Sequence, residues 1–187
     1  MSEFAVPKQN NQRAYDALLF VLLIVFVAIK FNDLFLPYFW DELGVYAQAA
    51  VYQYKHGLSL LPASLPPDLS RGHPLLFFSL NGAAIKVFGN SVVAAHSFNL
   101  FVALVLLVLV YAYTAKYYNR LTALVTVVLL ASQPVFLAQS ALVLPEIMLS
   151  LFAVLALVFY FEKKYLAFAL FASLAILTKE SAVILPC

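Results

Sequence analysis

Residues 91–114 limit what this chain can form more than any other segment, because they are apolar over nearly their whole length. A helix needs about 20 mainly apolar residues to cross the core of a bilayer, and this segment meets that requirement. The rest of the chain agrees, since 65% of its 187 residues are hydrophobic and only 11% are charged. We therefore predict an all-α integral membrane protein, a multi-span helical bundle with about five transmembrane helices.

Four more segments are predicted to cross the membrane. The first contains the apolar run 17–29 and follows Lys8 and Arg13, which indicate a cytosolic N-terminus by the positive-inside rule. Lys30 and Asp33 come after this run in place of a small-residue cleavage site, so we interpret it as an uncleaved span. The other three segments are residues 121–139, 147–161 and 165–176, of which the last two are short for a span.

Residues 73–88 leave the topology open, because they are apolar but contain Asn81 and Lys86 and are shorter than a full span. If this segment crosses the membrane, Asp41 and Glu146 face opposite sides. If it lies along the interface, both acids share the outer face. In that case the basic residues at the ends of the later spans fall in the cytosol: Lys116, Arg120, Lys163 and Lys164. The positive-inside rule favours the second arrangement.

This arrangement makes residues 1–187 a single transmembrane module with a long first outer loop, residues 37–90. The loop is predicted to contain two juxtamembrane helices, over residues 43–56 and from Pro74 to near Gly89. Prolines in residues 61–68 predict a stiff turn between them.

Two adjacent acids, Asp41 and Glu42, stand just past the first span. A carboxylate beside a bilayer core is costly, so it is a functional candidate by default. At this place it can act as a general base toward a hydroxyl, or help to hold a cation. Adjacent residues of a helix point about 100° apart, so we expect only one of the two to enter a site. The alternative is that both acids simply end the span.

Three cations and a third acid are further candidates. Arg71 and His73 beside a turn suit a phosphate group, or else anchor the chain to lipid headgroups. Lys179 either contacts a lipid phosphate or is neutralised by Glu180 next to it. Glu146 either serves a site or complements the dipole of the helix that it begins.

Other functions are disfavoured by what the sequence contains. The net charge of +2 indicates no nucleic-acid partner. Three scattered histidines and a single cysteine, Cys187, give no metal-ligand spacing, and His96 is interpreted as a packed, hydrogen-bonded residue. No cofactor is firmly predicted, although acids from two loops can hold a divalent cation, and this alternative stays open.

Four short motifs occur in one order along the chain: Trp40-Asp41-Glu42 with Tyr46 after it, Gly72-His73-Pro74-Leu75, Pro145-Glu146 and Leu177-Thr178-Lys179-Glu180. In this order they resemble the amino-terminal half of the dolichyl-phosphate-mannose protein mannosyltransferase and aminoarabinose transferase group of the GT-C glycosyltransferase superfamily. The resemblance extends over roughly residues 15–186.

The resemblance implies an enzyme that takes a sugar from a polyprenyl-phosphate donor on the outer or lumenal face of a plasma, inner or endoplasmic-reticulum-type membrane. The sugar passes with inversion to a hydroxyl of a protein, lipid or glycan acceptor. The family's essential acid of the first outer loop falls on Asp41, and its donor-phosphate motif falls on His73 and Pro74. The family's acid of the second outer loop falls on Glu146.

The chain departs from the family pattern in three respects. Leu75 replaces the second proline of the donor-phosphate motif, Glu146 replaces the commoner aspartate, and family members are several hundred residues long. The expectation is therefore the N-terminal part of a longer glycosyltransferase, with incomplete activity on its own. The alternative is a non-enzymatic membrane module such as a transporter fragment or a lipid-binding scaffold. Transporters tend to show inverted repeats, and we find no repeat in this sequence.

Overall fold

The computed structural model describes residues 9–185, with side chains from residue 12 onward, so Lys8 and Cys187 lie outside the described residues. Within that range the chain is 80% helical and contains no strand, which confirms the all-α prediction. The helices are α1 (Gln9–Lys30), α2 (Ala47–His56), α3 (Pro67–Ser70), α4 (Leu76–Phe88), α5 (Val92–Tyr117), α6 (Arg120–Ala131), α7 (Pro134–Gln139), α8 (Pro145–Phe161) and α9 (Tyr165–Thr178).

Two helical segments of the described chain are long and apolar enough to cross a membrane, Gln12–Phe35 and Val92–Tyr117. Four shorter apolar helices accompany them: α4, α6, α8 and α9. By length alone, the structure thus supports two of the five predicted spans.

The segment predicted to cross the membrane over residues 121–139 contains two helices, because α6 ends at Ala131 and α7 begins at Pro134. Proline disfavours the helical conformation in the residue before it, and Gln133 is accordingly extended, with ψ 127°. Pro134 then occupies the first turn of α7, where its missing N–H costs no hydrogen bond. The structure therefore divides this predicted span into two helices at the proline.

Consecutive long helices run antiparallel, so the end of one helix and the start of the next lie at the same end of the bundle. At one end Tyr111 of α5 donates a hydrogen bond of 2.9 Å to Asp16 of α1, and Arg120 pairs with the same carboxylate. Lys116 pairs there with Glu162, which follows α8. We call this the Glu162 end of the bundle.

The opposite end, which we call the Glu42 end, collects the end of α1 and the start of α5. There His96 of α5 lies 3.3 Å from the carbonyl oxygen of Leu34. Both termini of α4 also lie at this end. His73, before α4, contacts Glu180 beyond the end of α9, while a turn at Gly89 leads directly into α5. The 13-residue α4 therefore enters and leaves at the same end of the bundle.

Helix α2 packs closely on α4. A Cβ at Gly82 of α4 would lie 3.1 Å from the carbonyl oxygen of Ala50, so glycine permits this contact. The two helices are stopped by Gly57 and Gly89, whose φ values of 109° and 93° favour glycine. These helices, preceded by a π-helical turn over Glu42–Tyr46, form the layer that carries the candidate site.

Candidate functional site

The buried Tyr46 lies at the centre of the candidate site, at the end of the π-helical turn. Its ring stacks on His73 with centroids 5.7 Å apart. Phe77 and Phe78 of α4 contact it from another side, at 5.7 Å and 5.9 Å. The aromatic contacts hold the tyrosine ring in a fixed position between α2 and α4.

Three carboxylates affect the ionisation of the Tyr46 hydroxyl. Burial, and then the negative charges of Glu146, Asp41 and Glu180, raise the pKa of Tyr46 to about 12. Each of these charges disfavours a tyrosinate, so each lies within electrostatic reach of the same hydroxyl. The structure thus brings together acids from three distant segments: the start of the first loop, the start of α8 and the end of α9.

The adjacent acids Asp41 and Glu42 have opposite environments. Asp41 is exposed, and its carboxylate makes no hydrogen bond or ion pair with residues 9–185. Glu42 is 1% exposed. Only Asp41 can therefore meet a substrate from solvent, in the way expected for two neighbours on one helical turn.

Glu42 is bound on both of its carboxylate oxygens. Its Oε1 accepts a hydrogen bond of 2.6 Å from the Val143 backbone N–H and lies 3.0 Å from Nε2 of His96. Its Oε2 accepts a bond of 3.2 Å from the Phe39 N–H. His96 is fully buried, which confirms the interpretation of this residue as packed and hydrogen-bonded.

Lys179 pairs with Glu146, with 2.6 Å between Nζ and Oε1. The ion-pair partner of Lys179 is thus Glu146, while the neighbouring Glu180 binds His73 at 3.1 Å. A hydrogen bond from its own backbone N–H, and then the His73 hydrogen bond, lower the pKa of the Glu180 carboxyl. The second oxygen of Glu146, Oε2, is buried without a hydrogen-bond partner in the described chain.

Arg71 occupies the left-handed region, with φ 47°, at the end of α3. Its guanidinium donates a hydrogen bond of 3.3 Å to the carbonyl oxygen of Gly44, two residues before Tyr46. The side chain remains exposed, so Arg71 lies at the rim of the site rather than inside it.

A cavity of about 300 Å³ opens beside His73. It is lined by Leu60, Pro62, Ser70, Gly72, His73, Pro74, Leu75 and Leu177. His73 thus faces both the tyrosine and an open space. Among the described residues, no group of three His, Cys, Asp or Glu side chains is placed to hold a metal ion.

Tyr46 and Glu180 are missing from the residues that the sequence predicts for the site. Tyr46 stands four residues after the first motif and Glu180 ends the fourth, which is the only sequence signal that marks them. Their roles depend on contacts with His73, which the local sequence does not reveal.

The family model described as dolichyl-phosphate-mannose-protein mannosyltransferase matches residues 72–187. This match covers more than half of the chain, and the protein belongs to that family of GT-C membrane glycosyltransferases. The resemblance seen in the motifs is thereby confirmed. Asp41 and Glu42 lie before the matched segment, while His73, Glu146 and Lys179 lie within it. Searches of curated proteins and of solved structures each found no match.

Proposed function

We propose that this protein transfers a sugar from a polyprenyl-phosphate donor to an acceptor hydroxyl, with inversion, on the outer or lumenal face of the membrane. The observation that carries the proposal is the set of contacts around His73 and Lys179: His73 stacks on Tyr46 and binds Glu180, and Lys179 binds Glu146. The exposed Asp41 directly precedes the π-helical turn that ends at Tyr46. Such a site offers both a base for the acceptor and cations for a leaving phosphate.

The proposed topology has five crossings, formed by α1, α5, α6 with α7, α8 and α9. Helix α4 is only about 20 Å long, less than the roughly 30 Å of a bilayer core, and it returns to the end from which it starts. We therefore place α2 and α4 along the outer interface. The basic residues of the Glu162 end then face the cytosol, as the positive-inside rule favours.

In the proposed reaction, Asp41 accepts the proton of the acceptor hydroxyl. The hydroxyl oxygen forms a bond to the anomeric carbon of the sugar while the bond from that carbon to the donor phosphate oxygen breaks. The electron pair leaves with the polyprenyl phosphate, and Asp41 is left as the neutral acid. One face of the sugar is attacked as the opposite bond breaks, which inverts the anomeric configuration.

Arg71, His73 and Lys179 stabilise the negative charge that develops on the departing phosphate. His73 lines the cavity, and Lys179 is held in place by Glu146. Glu146 then shapes the acceptor side of the site. Asp41 and Glu146 are also the acids that can hold a divalent cation between the two loops, if the reaction uses one.

The experiment that tests the function is transfer of radiolabelled mannose by the full chain, reconstituted in liposomes. A polyprenyl-phosphate mannose is the donor probe, and a peptide containing serine and threonine is the acceptor probe. We expect labelled peptide that depends on the protein. The proposal would be contradicted if the protein neither transferred mannose to the peptide nor bound the donor saturably.

Cysteine labelling tests the topology separately. We expect Asp41→Cys and Glu146→Cys, each with Cys187 replaced by serine, to react with a membrane-impermeant maleimide added to the outer side. Tyr118→Cys, at the exposed Glu162 end, is the control and should react only after permeabilisation. Labelling of positions 41 and 146 from opposite sides would rule out a shared face and would favour the transporter alternative.

A further inference from the structure

The proposed reaction leaves one buried pair of titratable side chains unused. Glu42 is 1% exposed and His96 is 0% exposed, and they contact each other at 3.0 Å across the boundary between the first loop and α5. Ionisable groups are rarely buried unless their partners repay the loss of hydration. The burial of this pair therefore indicates a role other than filling the core.

The pair makes hydrogen-bond contacts with three other points of the chain. The Glu42 carboxylate accepts hydrogen bonds from Phe39, on one side of Asp41, and from Val143, three residues before Glu146. His96 extends the connection to the Leu34 carbonyl, at the end of the first predicted span. One carboxylate therefore joins the segment that carries Asp41 to the segment that carries Glu146.

Both ring nitrogens of His96 face oxygen acceptors, the Leu34 carbonyl and Glu42 Oε1. These two contacts hold the imidazole ring from both of its nitrogens, so the ring has little freedom to turn between α5 and the first loop. The connection is accordingly suited to fixing a distance rather than merely filling space.

We propose that Glu42 and His96 are positioning residues that set the separation of Asp41 and Glu146. The inference rests on the proposed function, because it assigns the general base to Asp41 and the acceptor side to Glu146. Glu42 itself does not reach the reacting atoms in this proposal. It acts through the backbone on either side of Asp41 and ahead of Glu146.

Glu42→Gln tests the proposal with little change in shape. A glutamine has a single carbonyl oxygen, so it cannot accept from the Phe39 and Val143 N–H groups on separate oxygens as glutamate does. A displacement of about 1 Å at a reacting group can lower the rate by about 100-fold. We expect kcat for mannosyl transfer to fall by about that factor, with KM for the donor changed by less than roughly threefold.

Asn99→Ala is the matched control, because it removes a different buried polar contact from the same helix. Asn99 donates a hydrogen bond of 2.8 Å to Asn81 of α4, and neither residue bonds to the segments that carry Asp41 and Glu146. We expect Asn99→Ala to lower the melting temperature while kcat stays within roughly threefold of the unchanged protein.

A distance measurement distinguishes a positioning role from a direct catalytic role, and it does not require enzymatic activity. Spin labels at Leu43 and Ala138, both exposed, report the separation of the two segments by pulsed electron paramagnetic resonance in a Cys187→Ser background. We expect a narrow distance distribution in the unchanged protein and in Asn99→Ala. In Glu42→Gln, and in a second variant, His96→Gln, we expect a broader or shifted distribution.

Loss of kcat in Glu42→Gln with an unchanged distance distribution would overturn the proposal, since it would indicate a direct catalytic role. Equal broadening in Asn99→Ala would also overturn it, since any buried defect would then have the same effect. If Glu42→Gln does not fold, kcat and the distance distribution of His96→Gln test the proposal instead. Failure of the unchanged protein to transfer mannose would count against the proposed function, while the distances would still test the connection.

Discussion

Asp41→Asn is expected to lower mannosyl transfer by about 10³-fold while the amount of folded, membrane-inserted protein stays unchanged. General-base catalysis contributes about 10²–10⁴-fold, and asparagine cannot take a proton from the acceptor hydroxyl. The carboxylate of Asp41 makes no hydrogen bond within the described chain, and the residue is exposed. The amide therefore replaces it without breaking a contact, so the lost rate reports chemistry rather than folding.

The measurement is the initial rate of mannose transfer to the peptide acceptor, normalised to protein recovered in the liposomes. Asp68→Asn provides the control, because Asp68 is an exposed acid of the same loop, at the start of α3, that does not influence Tyr46. We expect it to transfer at the rate of the unchanged protein. Wild-type turnover by Asp41→Asn would remove Asp41 from the role of base.

Lys179→Gln is the second variant expected to have a large effect, lowering kcat/KM for the polyprenyl-phosphate mannose donor by about 100-fold. Two losses combine in this variant. The leaving phosphate loses a cation, and truncating one partner of a partly buried charge pair leaves Glu146 without its Nζ donor. Lys86→Gln, which changes an exposed lysine of α4, is the control and should behave as the unchanged protein.

The double variant Lys179→Gln with Glu146→Gln separates these two losses. It removes the unpaired charge, so we expect the melting temperature to recover while donor turnover stays low. Melting is followed by fluorescence in detergent, and turnover by release of labelled mannose from the donor. Full recovery of turnover in the double variant would show that Lys179 only neutralises Glu146 and does not serve the phosphate.

The helices that flank the site were accessible to prediction because their limits are encoded locally. Gly57 and Gly89 end α2 and α4 where the sequence predicts these stops, since their positive φ values suit glycine alone. Pro134 is an equally local signal. Because residues 121–139 are apolar on both sides of it, however, they are interpreted as one span, and the break between α6 and α7 is not predicted. Hydrophobicity alone cannot separate a span from two shorter helices in line.

The contacts within the site were not accessible in the same way. The spacing of Asp41 and Glu42 predicts that only one of them enters a site, but it does not say which. That choice depends on Val143, 101 residues away, and on His96, 54 residues away. Likewise, Glu180 binds His73 across 107 residues, while its neighbour Lys179 turns to Glu146. Contacts between residues that are distant in sequence depend on the packed fold, so neighbouring residues in the sequence do not reveal them.

In the proposed reaction Glu146 lies on the acceptor side, and its unpartnered Oε2 then affects selectivity among acceptors. A buried acceptor oxygen without a hydrogen bond binds a ligand group more strongly when that group donates an O–H or N–H, and it gains no hydrogen bond from a group without a donor. Sites built this way discriminate strongly against analogues without the donor. An alcohol would thus be preferred to its methyl ether at this position, even where the two fill the same volume.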